Sequence, residues 1–72
     1  MTELRLHQAL YSRPAVEQAR GLYADYAAVD LGEDGEHWVL RISSDDPARE
    51  RAVSGELANS ALGITVEGRG QS

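Results

Sequence analysis

Ala28-Val29-Asp30-Leu31-Gly32-Glu33-Asp34-Gly35-Glu36-His37-Trp38-Val39-Leu40-Arg41-Ile42-Ser43 is the stretch that decides the fold. An Asp-Gly pair between two alternating apolar runs signals a two-residue hairpin turn. A turn at Asp34-Gly35 pairs Glu33 with Glu36, and the register follows. Leu31 then falls opposite Trp38, Val29 opposite Leu40 and Ala27 opposite Ile42, all on one face. The other face receives Gly32 with His37, Asp30 with Val39 and Ala28 with Arg41. A slip of one residue would move the apolar set to the wrong face, so the register is well specified. The predicted strands are Ala28–Glu33 and Glu36–Ser43.

Upstream, Thr2 to Leu10 alternates. Leu4, Leu6, Gln8 and Leu10 share one parity, and Glu3, Arg5, His7 and Ala9 take the other. This predicts a first strand with one buried face. Ser12 is placed to cap a helix, with Pro14 in its first turn. Val16, Ala19, Tyr23 and Tyr26 then recur at helical spacing, with Leu22 beside them. Gly21 inside that helix costs about 0.8–1 kcal/mol relative to Ala, and a close helix–sheet approach is the simplest reason for it.

Downstream, Ser44-Asp45-Asp46-Pro47 marks a second helix start. Asp46 caps it, Pro47 takes its first position, and the acids suit the positive end of the dipole. Val53, Leu57 and Ala61 repeat every four residues. Gly63 reads as the stop, with Ile64 supplying the contact that accompanies such a cap. Ile64 and Val66 alternate as a short candidate strand. The expected domain spans 1–67, and 68–72 reads as a flexible tail. The order β-α-β-β-α predicts an α+β sandwich of ferredoxin-like type, with helices on one face of a mainly antiparallel sheet.

The 72 residues make one domain at most and carry a net charge of −5 with an isoelectric point near 4.8. Such a chain lacks the basic stripe that phosphates need, so no nucleic acid is expected. The chain has no Cys, which excludes disulfides, thiolate metal sites and Cys nucleophiles. Without such staples, a second subunit or a partner is a natural source of extra burial. All seven basic residues are Arg. Compositional bias explains this, or some make planar bidentate contacts that Lys cannot. No apolar run reaches the ~20 residues of a membrane span, and no signal-peptide core opens the chain, so a cytoplasmic protein is expected.

The candidate sites sit mostly on the face predicted to point away from the helices. His7 and His37 share it with Asp30, but no third ligand has metal-motif spacing, and no nucleophile stands beside them. Glu33, Asp34 and Glu36 at the hairpin tip read as a solvated acidic turn rather than a calcium loop. Gly68-Arg69-Gly70 opens no helix after a strand and carries no phosphate-binding weight. No metal, no cofactor and no catalytic residue is expected. Arg5, His37, Val39 and Arg41 form a mixed patch, read either as an ordinary solvent face or as a dimer or partner surface. Asn59 is an odd helix-interior residue. It is either simply exposed, or an amide that binds a partner backbone or ties the helix end.

Leu10-Tyr11-Ser12-Arg13-Pro14-Ala15-Val16, with Tyr23 and Tyr26 after it, resembles the start of the small HxsD-like proteins of His-Xaa-Ser systems. Glu56-Leu57-Ala58-Asn59-Ser60-Ala61-Leu62 is similar to the Glu-Phe-x-Asn-x-x-Leu end of that family, departing at Leu57, where an aromatic is expected. The resemblance spans about Leu4 to Leu62. It implies a non-catalytic accessory subunit that docks onto a radical-SAM peptide-modifying enzyme or its precursor peptide. It also makes Tyr11, Glu56 and Asn59 candidate partner-binding residues. The iron–sulfur cluster would belong to that enzyme. Two other readings stay open: a small dimeric, ACT-like ligand-sensing module, and a stand-alone enzyme.

Overall fold

A computed structural model describes residues 1–70. Gln71 and Ser72, the end of the expected tail, lie outside the described residues. The chain runs β1 (Thr2–His7), α1 (Arg13–Leu22), β2 (Ala28–Asp34), β3 (His37–Ser43) and α2 (Pro47–Gly70). The strands form one antiparallel sheet in the order β1-β3-β2, with β3 in the middle. The fold is therefore α+β.

The hairpin turns one residue later than the sequence predicts. Asp34 pairs with His37, so Gly35 and Glu36 make the two-residue loop. Leu31 sits opposite Leu40 rather than Trp38, and Val29 opposite Ile42 rather than Leu40. On the other face Gly32 meets Val39 and Asp30 meets Arg41. The physical reason lies in φ. Gly35 has φ +61°, and no other described residue has positive φ. A turn at Asp34-Gly35 would place Asp34 in that region, whereas a loop opening on Gly35 needs only the glycine there. Moving the turn by one residue moves each partner by two, so every side chain keeps its predicted face.

Three cross-strand rows line the helix-covered face: Thr2–Ile42–Val29, Leu4–Leu40–Leu31 and Leu6–Trp38–Glu33. Val16 and Ala19 of α1 and Leu57 and Ala61 of α2 close over Leu6, Trp38 and Leu40. Val53 and Ala27 close over Ile42. Both caps form as predicted. Ser12 Oγ accepts from Ala15 N–H at 3.3 Å, and Asp46 Oδ1 accepts from Ala48 N–H at 3.0 Å.

Four sequence expectations fail. The first strand ends at His7 instead of Leu10, because Leu10 and Tyr11 donate backbone N–H bonds to the His7 carbonyl and turn the chain. α1 ends at Leu22, leaving Tyr26 exposed in the turn that feeds β2. A side chain at Gly21 would meet open space, so no close helix–sheet approach explains that glycine. The last failure is the largest. α2 does not stop at Gly63, and Ile64 and Val66 are helical, as are residues 68 to 70. Gly63 lacks the positive φ of a glycine stop. The stripe Val53–Leu57–Ala61 continues into Thr65, which is buried and donates its hydroxyl to the Ala61 carbonyl at 2.8 Å. Thr65 Oγ1 also accepts from Ser12 N–H at 3.2 Å, tying α2 to the head of α1.

Glu50 in the first turn of α2 is buried. Its carboxylate accepts from Ser44 N–H at 2.9 Å and Thr2 hydroxyl at 3.1 Å, and pairs with the Met1 amino group at 3.1 Å. The Ser44 N–H first, then the amino terminus, hold its pKa below the ordinary 4.5. A carboxylate depressed on folding adds stability that is present above its unfolded pKa and lost as pH falls through its folded one. Glu50→Gln should therefore lose less stability than the native chain between about pH 5 and pH 3. Urea midpoints at both pH values read this, and parallel losses would remove Glu50 from the acid response.

Candidate functional site

The sheet face away from the helices gathers the chemistry. β1 contributes Glu3, Arg5 and His7, β3 His37, Val39 and Arg41, and β2 Asp30, Gly32 and Asp34. The register arranges them in three rows: Glu3–Arg41–Asp30, Arg5–Val39–Gly32 and His7–His37–Asp34. Of the residues proposed from sequence, the structure brings together Arg5, His37, Val39 and Arg41.

Arg5 organises this face. It reaches across β3 to Asp34 Oδ2 at 3.0 Å and holds Glu3 Oε1 of its own strand at 3.2 Å. Asp34 first, then Glu3, raise its pKa further above its already high value. The reach from β1 to β2 passes over Val39, which is only 7% exposed. Val39 is thus on the predicted face, but it is not exposed among charges as the sequence suggested. Arg5 stands opposite it in register and crosses to β2, which places the Arg5 stem to cover it, since long charged side chains lay their methylenes on apolar surface. Gly32 opposite Val39 has no side chain, and a depression of about 340 Å³ opens there, rimmed by Arg5, Asp30, Asp34 and Arg41. Arg41 is exposed between two acids in register.

Burial changes what a charge at position 39 should do. Val39→Asp is expected to cost about 1–3 kcal/mol of stability, because a carboxylate there loses water and competes with Asp34 for Arg5. Urea denaturation of Val39→Asp beside Val39→Thr checks this. A Val39→Asp chain as stable as the native one would mean that the Arg5 cover does not persist in solution.

His7 and His37 are cross-strand neighbours, with ring centroids 5.1 Å apart and the planes nearly perpendicular. His7 Nδ1 accepts from Ala9 N–H at 3.0 Å, so its ring proton sits on Nε2, 3.5 Å from the Glu36 carboxylate. Among the described residues no group of three or more His, Cys, Asp or Glu is placed to hold a metal ion.

The other three candidates lie elsewhere. Tyr11 is half-buried against the core, and its carbonyl accepts from Trp38 Nε1 at 2.8 Å. Glu56 and Asn59 are exposed on α2, away from the open sheet face. Sequence reasoning left out Glu3 and Asp34, the two anions that fix Arg5. Glu3 carried the right parity in the first strand. Asp34 falls in the predicted turn, and the one-residue shift places it on β2 opposite His37.

Among the described residues no helix is long and apolar enough to cross a membrane. No family model, curated protein or solved structure matches the chain.

Proposed function

We propose that this chain is a non-catalytic, cytoplasmic binding subunit that docks onto a larger partner. One observation carries the reading: the three-stranded sheet leaves the outer edges of β1 and β2 without a strand partner among the described residues. Unpaired N–H and C=O groups along an edge are a template for another segment, and recognition by strand addition uses them. The finer fold reading is ferredoxin-like. The order β1-β3-β2 with both helices on one face is that of a βαββα unit, and a further strand would pair with β1.

The partner class comes from the resemblance to the HxsD-like proteins of His-Xaa-Ser systems. It is a radical-SAM enzyme that modifies a ribosomally made peptide, or that precursor peptide. The test is co-purification from the native host with mass spectrometry. Recovery of such an enzyme or peptide in stoichiometric amount is the expected result. Failure to recover either, with a rise in melting temperature on adding a small metabolite, would move the function to the dimeric ligand-sensing reading.

A further inference from the structure

The two free edges differ in charge. β2 carries Asp30, Glu33 and Asp34 and no basic residue. A second β2 laid antiparallel against it presents no opposite charge on the facing strand in any register, and Glu33 already holds Arg13 of its own chain. β1 reads Thr2-Glu3-Leu4-Arg5-Leu6-His7 and is self-complementary. Antiparallel pairing about a two-fold axis through Leu4 sets Glu3 of each copy opposite Arg5 of the other, and Leu4 opposite Leu4. Moving the axis to Glu3 or to Arg5 sets like charge against like. Directly opposed charges on neighbouring strands attract when opposite and repel when alike.

The same edge is flanked by apolar surface. Ser60 bonds the Tyr23 hydroxyl at 3.0 Å, and Ile64 lines a groove with Pro14 and Gln18, so these mark the side of α2 that faces α1. Leu57 and Ala61 pack with Leu6, Trp38 and Leu40 of the sheet, and Thr65 is buried one turn further along that stripe. Leu62 and Val66 each follow that stripe by one residue, about 100° further round the helix and away from α1. Because α2 packs on β1 and β3, that flank lies toward the outer edge of β1. Leu62 is 44% and Val66 55% exposed there.

We propose that β1 pairs antiparallel with β1 of a second copy about a two-fold axis through Leu4. The product is a six-stranded sheet with all four helices on one face, both Glu3–Arg5 pairs joined across the seam, and the Leu62–Val66 flanks brought beside it. Arg5 holds its own Glu3 at 3.2 Å and Asp34 of β2 at 3.0 Å, so joining the seam exchanges the exposed Arg5–Asp34 bond for one to Glu3 of the second copy. Isologous pairing of this kind closes on itself and leaves the β1 edge covered. The proposal rests on the binding-subunit reading and names the surface through which that subunit self-associates.

Sedimentation equilibrium of the full chain over a concentration series is the test, with circular dichroism to report folding. The native chain is expected to dimerise reversibly. Glu3→Arg sets Arg opposite Arg twice and should raise the dissociation constant about tenfold or more. Adding Arg5→Glu to that variant should restore the dimer relative to either single change. The register has a separate readout, because the chain has no cysteine of its own. Mixing Glu3→Cys copies with Arg5→Cys copies should give the mixed disulfide in preference to either symmetric one. A monomer at every concentration overturns the proposal, as does a dimer indifferent to both charge reversals. Co-purification reads the docking function independently, so a missing dimer and a missing partner are separate results.

Discussion

Leu40→Ala is expected to cost about 2–5 kcal/mol, a large share of the stability a chain this small carries. Leu40 is fully buried at the middle of the central strand. It has Leu4 on one side and Leu31 on the other, in the middle of three cross-strand rows. Leu57 and Val16 belong to the cluster that closes over it. Truncation there removes apolar burial from both helices and all three strands at once. Neither neighbouring strand can close the cavity without breaking its ladder. A chain of 72 residues has about 4–11 kcal/mol in total to lose. Thermal and urea unfolding followed by circular dichroism measures the effect. Leu40→Met is the control, because it keeps volume and should cost less than about 1.5 kcal/mol. A Leu40→Ala chain within 1 kcal/mol of native, roughly the scale of a surface change, would sink the packing account.

What the sequence shows and what it hides divide along one physical line. Features set by alternation or by a cap were legible: the element order, the face of every strand residue in the hairpin, and the Ser12 and Asp46 caps. Period-2 patterning fixes a face but is blind to a shift of two in pairing. The register error therefore left the core assignment of Trp38, Leu40 and Ile42 intact. Glycine was the harder residue. The pattern predicts Gly35 as the second turn residue where it is the first, and Gly63 as a stop where it continues a helix. Both depend on φ, which is set by what surrounds the glycine. For Gly63 the deciding neighbour is Thr65, a polar residue that belongs to the buried stripe and so breaks no apolar periodicity when it is left out.

The open face follows the same division. Parity placed Arg5, His37, Val39 and Arg41 together. It did not show that the Arg5 guanidinium crosses a whole strand to Asp34. That reach is a side-chain choice between partners, made possible by the missing side chain at Gly32 and the small one at Val39. The consequence is that the face carries its own ion pairs, Arg5 with Asp34 and with Glu3, and buries an apolar residue beneath them. Exposed ion pairs of this kind are each worth little, about 0–1 kcal/mol, and weaken in salt. Their weight here is positional: the Asp34 bond folds the Arg5 side chain inward over β3, and a second copy at the β1 edge would draw it back.

Trp38→Ala should be at least as damaging as the loss of Leu40, at about 3–5 kcal/mol. The indole lies in the row Leu6–Trp38–Glu33 and packs with Leu6, Val16 and Leu57. It also does what an aliphatic residue cannot. Its Nε1–H donates to the Tyr11 carbonyl at 2.8 Å, fixing the loop between β1 and α1. The Arg13 guanidinium sits 5.8 Å from the ring centroid and bonds Glu33 Oε1 at 3.3 Å, so the ring is roofed by an ion pair. At an exposed arginine such a roof adds about 0.5–1 kcal/mol. Trp38→Phe separates these contributions. It keeps most of the apolar contact but leaves the Tyr11 carbonyl without its donor, for a loss of about 1–3 kcal/mol. Because Tyr11 immediately precedes the Ser12 cap, the Phe variant should also loosen the head of α1. Amide hydrogen exchange at Val16, whose N–H donates to the Ser12 carbonyl, would read that loosening directly. Equal protection at Val16 in the Phe variant and the native chain would confine Trp38 to packing. Faster exchange there, with the β3 amides unchanged, would show that one indole hydrogen bond holds the chain's first loop against its central strand.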